Sequence, residues 1–147
     1  GLCKEIHAID LNIDKLVDYC ARILNKVPTL FDEHTKQLMF SSLFTLELAG
    51  DEFKYIGKHI AQTKTSTKPI LSMVELVKEH FEIYYKMYYA YSRDLAVEFG
   101  EHDMKLYSTH FAMKESLSGE NRSIVKHLML LSKFTLCLVE LRIQMEF

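Results

Sequence analysis

From residue 2 onward the apolar positions recur at steps of three and four: Ile6, Ile9, Ile13, Leu16, Cys20 and Ile23. That spacing lines one face of a helix and predicts a first helix over Leu2–Asn25, with Asp10, Asp14 and Asp18 beside the stripe. Pro28 cannot continue a helix, so the chain breaks over 26–32, and Asp32 is placed to cap the next helix. That second helix spans Glu33–Gln62, about 45 Å at 1.5 Å per residue. Its length favours an elongated bundle over globin-like packing. Thr63–Pro69 is polar, β-branched and closed by a proline that can open the next helix, hence a loop.

The third helix, over Pro69–Tyr91, has two apolar seams: one through Ile70, Val74, Val77, Phe81, Tyr84, Tyr88 and Tyr91, the other through Met73, Leu76, Ile83 and Met87. A helix so apolar is central or is covered by a second surface. The tyrosines at 84, 85, 88, 89 and 91 have only Lys86 among them, so they read as core or interface packing rather than as a base-stacking platform. The fourth helix, over Ser92–Ser118, carries Leu95, Phe99, Asp103, Leu106, His110, Met113 and Leu117 on one seam and tolerates Gly100 inside it. The fifth runs from Ser123 to the end, its seam Ile124, Leu128, Leu131, Phe134, Leu138, Leu141 and Met145.

Within this pattern one stretch occurs twice. A shift of 90 positions lays Lys36–Leu48 on Lys126–Leu138 without a gap, with eight of thirteen residues identical, lysine, serine and threonine among them. Lys15 and Leu16 fall on Lys105 and Leu106 under the same shift. A repeat sets the architectural unit: the first and second helices correspond to the fourth and fifth, and the counterpart of the third would precede the first. The expected fold is an all-α, elongated bundle of about five helices in a single domain, built from tandem three-helix repeats, the first partial (1–63) and the second whole (69–147). The first copy ends Glu47-Leu-Ala-Gly-Asp51, where the second has Cys137 and Leu141.

Composition narrows the classes. Two prolines and five glycines are too few for an all-β chain,. With 48% hydrophobic and 26% charged residues the chain is not disordered,. A net charge of −2 provides no overall attraction to nucleic acid or anionic lipid,. Cys3, Cys20 and Cys137 are unpaired in pattern and fit small buried hydrophobes in a reducing compartment. The most apolar run, Leu128–Val139, is interrupted by Lys133 and is too short to span a bilayer. No leader peptide is legible, and a cytoplasmic location is expected.

The repeated unit and the motif Glu47-Leu-Ala-Gly-Asp51 resemble the PhoU family of phosphate-signalling regulators. That family is built of two tandem three-helix repeats whose last helices carry an acidic E-x-x-x-D motif. Leu95-Ala96…Glu101-x-Asp103-x-x-Leu106 and Asp10…Asp14-Lys15-Leu16 are similar to the middle helix of such a repeat. The resemblance covers about Ile6 to Glu140. The first repeat lacks its first helix, and the second lacks the acidic motif. The resemblance implies a non-enzymatic regulator of phosphate transport or signalling that acts through protein contacts with a transporter or sensor kinase. It also implies iron or zinc on the acidic motif, carried here by Glu47 and Asp51, with Asp14 on the adjacent helix as a further candidate. Residues four apart share a helical face, so Glu47 and Asp51 can address one cation; pairing with Lys54 or Lys15 is the plainer expectation for them. A homodimer is expected to cover the apolar surface left by the missing helix, through the third helix or the groove of the first two. No nucleic acid partner is expected, and at most a peripheral contact with membrane.

Other chemistry is sparse. No H-E-x-x-H, H-x-x-x-H or E-x-x-H pattern occurs, which argues against a di-iron carboxylate bundle. Asp103 and His110, seven apart on one seam, read as a buried polar contact or a metal pair. Arg122 and His127 have the R-x4-H spacing of HEPN helical ribonucleases, which defines the alternative: RNA cleavage by a composite site. A third reading is a helical oligomerisation domain of a larger transporter or DNA-binding protein.

Overall fold

A computed structural model describes residues 1–147 as five α-helices and no strands: α1 (Leu2–Lys26), α2 (Glu33–Gln62), α3 (Leu71–Tyr89), α4 (Arg93–Met113) and α5 (Gly119–Gln144). The all-α expectation holds. The Asp32 carboxylate accepts from the Thr35 amide at 2.9 Å and opens α2, while Ser92 does the same for α4 through the Leu95 amide at 3.1 Å. Each cap satisfies a donor that the first helical turn leaves unpaired. The break before α5 falls earlier than the apolar pattern predicts. A 3₁₀ turn at Lys114–Ser116 ends the α4 segment, and Gly119, at φ +54, turns the chain into α5.

The helices associate in the order α1–α2–α5–α3–α4. Two contacts show that α2 and α5 run antiparallel: Glu52 meets His127 and His59 meets Glu120. The two copies of the repeated stretch therefore lie against each other. Ala49 and Ile56 of α2 join a core of Ile124, Leu128 and Leu131 from α5, while Leu46 packs against the core cluster that holds Leu138 and Val139. On its other side α5 meets α3, whose buried seam is Met73, Leu76, His80, Ile83 and Met87.

The repeat predicts that the pairing of α1 with α2 recurs as α4 with α5, and at this point the structure differs. α1 lies along α2, whereas α4 lies along α3 and faces α5 across an open groove. The reason is the second seam of α3, which fills the space between α4 and α5. Identical residues also part company: Phe44 is 62% exposed, while Phe134 packs against the core. α5 is covered on two sides, and α2 leaves one flank open. The free cysteines are not the buried hydrophobes expected, since Cys3 and Cys137 are exposed.

α1 and α2 approach closely at glycines. A Cβ at Gly57 would stand 2.8 Å from Ile6 Cδ1, and one at Gly50 would stand 3.4 Å from Ile13 Cδ1. Gly100, on the outer side of α4, has nothing within 4 Å. Gly57→Val is expected to cost about 1–3 kcal/mol by overpacking. Gly100→Ala is expected to stabilise by about 0.5–1 kcal/mol through helix propensity. Urea unfolding followed by circular dichroism measures both.

Candidate functional site

Asp51 sits at the edge of the α1–α2 contact. Lys54, one turn on, places its Nζ 2.5 Å from Asp51 Oδ1 and 3.0 Å from Oδ2 of Asp10, a buried carboxylate on α1. A buried carboxylate needs such a partner, because desolvation without one is costly. The hydrogen bond to Asp51, and after it the one to Asp10, hold Lys54 charged well above the ordinary lysine range. The acidic motif is thus closed by an Asp10–Lys54–Asp51 bridge, the Lys54 pairing that the spacing anticipated. Glu47 and Asp14 are half-buried nearby. Nowhere in the chain do three or more His, Cys, Asp or Glu side chains converge to hold a metal ion. An ammonium in the mouth of the motif and too few converging donors mean that Glu47, Asp51 and Asp14, as placed in one chain, do not fit iron or zinc.

Two histidine clusters, of which the sequence pattern singled out only His127 and Asp103, are built at helix contacts. Between α2 and α5, His127 Nδ1 meets Glu52 Oε2 and His59 Nδ1 meets Glu120 Oε2, each at 2.5 Å. The two imidazoles lie 5.3 Å apart, and Tyr55 stacks on His127 at 5.4 Å. Glu52, Tyr55 and His59 recur at i, i+3 and i+7 on α2, a face that spacing makes legible once its partner is known. His127 therefore faces α2, whereas Arg122 lines the groove toward α4 and donates from Nε to the Leu117 carbonyl at 3.1 Å. The two residues of the HEPN spacing are not brought together within the chain, because five residues along a helix place them on different faces.

The second cluster sits between α3 and α4. His80 is fully buried, its ring stacked on Phe99 at 4.1 Å. Its Nδ1 is 3.1 Å from Nδ1 of His102, whose Nε2 is 3.0 Å from Glu79 Oε2. The chain of bonds is satisfied when His102 donates from Nε2 to Glu79 and accepts from His80 Nδ1–H. That leaves His80 Nε2 without a hydrogen-bond partner, 3.3 Å from Asp103 Oδ1 but out of alignment. Asp103 thus pairs with α3 rather than with His110, which lines the α4–α5 groove. The reason is register: α3 packs directly on α4 beside Asp103, and the pairing expected within α4 loses to it. Burial, and then the neighbouring His102, push His80 down to about 4, while burial raises Asp103. Burial and then Lys114 lower His110. The hydrogen-bonded chain links Glu79, His102 and His80, and the cluster holds no nucleophile.

The remaining feature is apolar. One cavity of about 270 Å³ lies between α2 and α3, lined by Met39, Leu43, Leu46, Phe81 and the tyrosines at 84, 85, 88 and 89. A second, of about 370 Å³, lies between α1 and α2 and shares Leu43, Leu46 and Phe81 with the first. The two form a continuous groove, with Leu16 on its α1 wall 62% exposed and Tyr89 at its α3 end 72% exposed. Tyr84 is buried, so the tyrosine stripe divides into core and open surface. No helix of the chain is long and apolar enough to cross a membrane. No protein-family model, curated protein or solved structure matches the chain.

His80 makes stability depend on pH. Its folded value lies below the ordinary 6.5, so between about 4 and 6.5 the unfolded chain binds the extra proton. The contribution is complete above 6.5 and is lost as pH falls toward about 4, by about 3 kcal/mol. His110 acts in the same direction, and Asp103 opposes it over the carboxylate range. Urea unfolding across this window should show the loss, with a clearly flatter profile in His80→Leu.

Proposed function

We propose that this chain is a non-enzymatic, PhoU-like regulator that works through protein contacts, and that the α1–α2–α3 groove is where two copies meet. The observation that carries this reading is the groove itself. A chain of this size rarely leaves so long an apolar surface open unless something covers it. The groove runs across the helices that the partial first repeat leaves without a third member, and exposed aromatic residues at its rim are the side chains that anchor interfaces. The phosphate-signalling part rests on the repeated stretch Lys36–Leu48/Lys126–Leu138 and on Glu47-Leu-Ala-Gly-Asp51. At that motif Lys54 bridges Asp51 to the buried Asp10.

Light scattering at micromolar protein should give the mass of a dimer. Leu16→Asp and Tyr89→Asp, both at exposed positions, should weaken dimerisation by about thirtyfold or more while circular dichroism stays unchanged. A monomeric wild type ends the homodimer reading. In the native host, the same variants should alter phosphate-dependent control of uptake. A normal phosphate response in a strain lacking the chain would end the regulatory one.

A further inference from the structure

The groove between α4 and α5 has a different character from the one across α1–α3. It encloses about 570 Å³, and its floor is Leu117, Val125 and Met129. Its walls carry Lys114, Arg122, Lys126 and Lys133, with Glu115 the single carboxylate. None of the four cations takes part in an ion pair. A chain of net charge −2 therefore gathers four unpaired cations on one side. Arg122, Lys126 and Lys133 fall at i, i+4 and i+11 of α5, a row about 16 Å long.

Beside this row, α4 turns apolar side chains straight into solvent. Met104 is 74% and Phe111 72% exposed, and Val97 and Tyr107 are exposed with them. Positions 97, 104 and 111 are spaced by seven, so they form one stripe opposite the α3 contact. Lys114 joins the two features, standing 4.6 Å over the Phe111 ring while lining the groove. By helical register, Glu98 lies on the flank of α4 turned away from α5, while Glu101, four residues after Val97 and three before Met104, borders the stripe on its far side.

We propose that the α4–α5 face is a docking surface for an anionic bilayer. Phe111 and Met104 enter the boundary between headgroups and acyl chains, and the cations beside them meet lipid phosphates. A convex, fully solvated apolar stripe next to unpaired cations suits an interface that is itself anionic above and apolar below. The long lysine side chains can cover apolar surface while their ammonium groups stay among the headgroups. The overall charge conceals this, because the cations are gathered in space and the acids are dispersed. The face lies away from the α1–α3 groove, so the inference stands whether or not two copies meet there.

Co-sedimentation tests it, with vesicles of phosphatidylcholine mixed with phosphatidylglycerol against vesicles of phosphatidylcholine alone. The wild type is expected on the mixed vesicles only, with binding weakened by added salt. Lys126→Glu combined with Lys133→Glu should lower affinity by at least about fivefold for each cation lost. Phe111→Ser should lower it by about tenfold, and Lys26→Glu, exposed at the end of α1 on the opposite edge of the bundle, should leave it close to wild type. Circular dichroism confirms that each variant is folded. Three outcomes overturn the proposal: no binding to the mixed vesicles, binding that survives the α5 charge reversal, or binding to polyglutamate peptide without binding to vesicles. The last would make the face a site for an acidic protein segment.

Discussion

The structure depends on α5 being buried along two sides at once. Its seam of Ile124, Leu128, Leu131 and Leu138 serves α2 on one flank and α3 on the other. Removing that apolar surface from water is the main favourable term available to a chain of this composition. Everything else is arranged around it. α2 takes one side and carries α1 outside it, while α3 takes the other and carries α4. α2 runs antiparallel to α5 and α3 parallel to it, since Asn121 reaches the Ser66 carbonyl just before α3 and Arg142 the Tyr88 carbonyl at its end. A row of this kind has two edge helices, each with one face in contact and one in water.

Those edges are where the surface chemistry collects. α1 buries only Asp10 and Leu24, so the apolar stripe that predicts its helix is largely a groove wall. α4 buries Phe99 and Leu106 toward α3 and presents a second, outward apolar stripe. Each edge thus leaves surface that the single chain cannot cover, and the two differ in charge. The α1–α3 groove is almost wholly apolar, while the α4–α5 groove is rimmed with cations. Two surfaces of different character can serve different occupants without competing.

Ionisable groups inside the bundle follow a single rule: each is paired across a helix contact or is held neutral. Asp10 is paired by Lys54, and Glu52 and Glu120 are met by His127 and His59. His80 is enclosed and kept neutral by its surroundings. These pairs join residues 44 to 75 positions apart, so they specify which helices meet and in what register more than they add stability.

Helix positions, the break at Pro28, the Asp32 cap and the seams of α4 and α5 were legible in the sequence, because hydrophobic period and capping are local properties of the chain. The tyrosine stripe was legible as core or interface, though not where it would divide. His80 was also within reach, at heptad spacing between Met73 and Met87. Which helices pair could not be read. The repeat Lys36–Leu48/Lys126–Leu138 describes two similar helices, but their environments depend on what lies beside them, so Phe44 faces water and Phe134 the core. For the same reason Lys54, whose pairing with Asp51 the spacing anticipated, also met the buried Asp10 of α1, and Asp103 met His80 rather than His110. The sequence by itself determined five amphipathic helices and, except at the break before α5, their ends. Their order around α5, and with it every cross-helix pair and both open grooves, was decided only in the tertiary structure, because apolar stripes attract without direction and shape alone selects among partners.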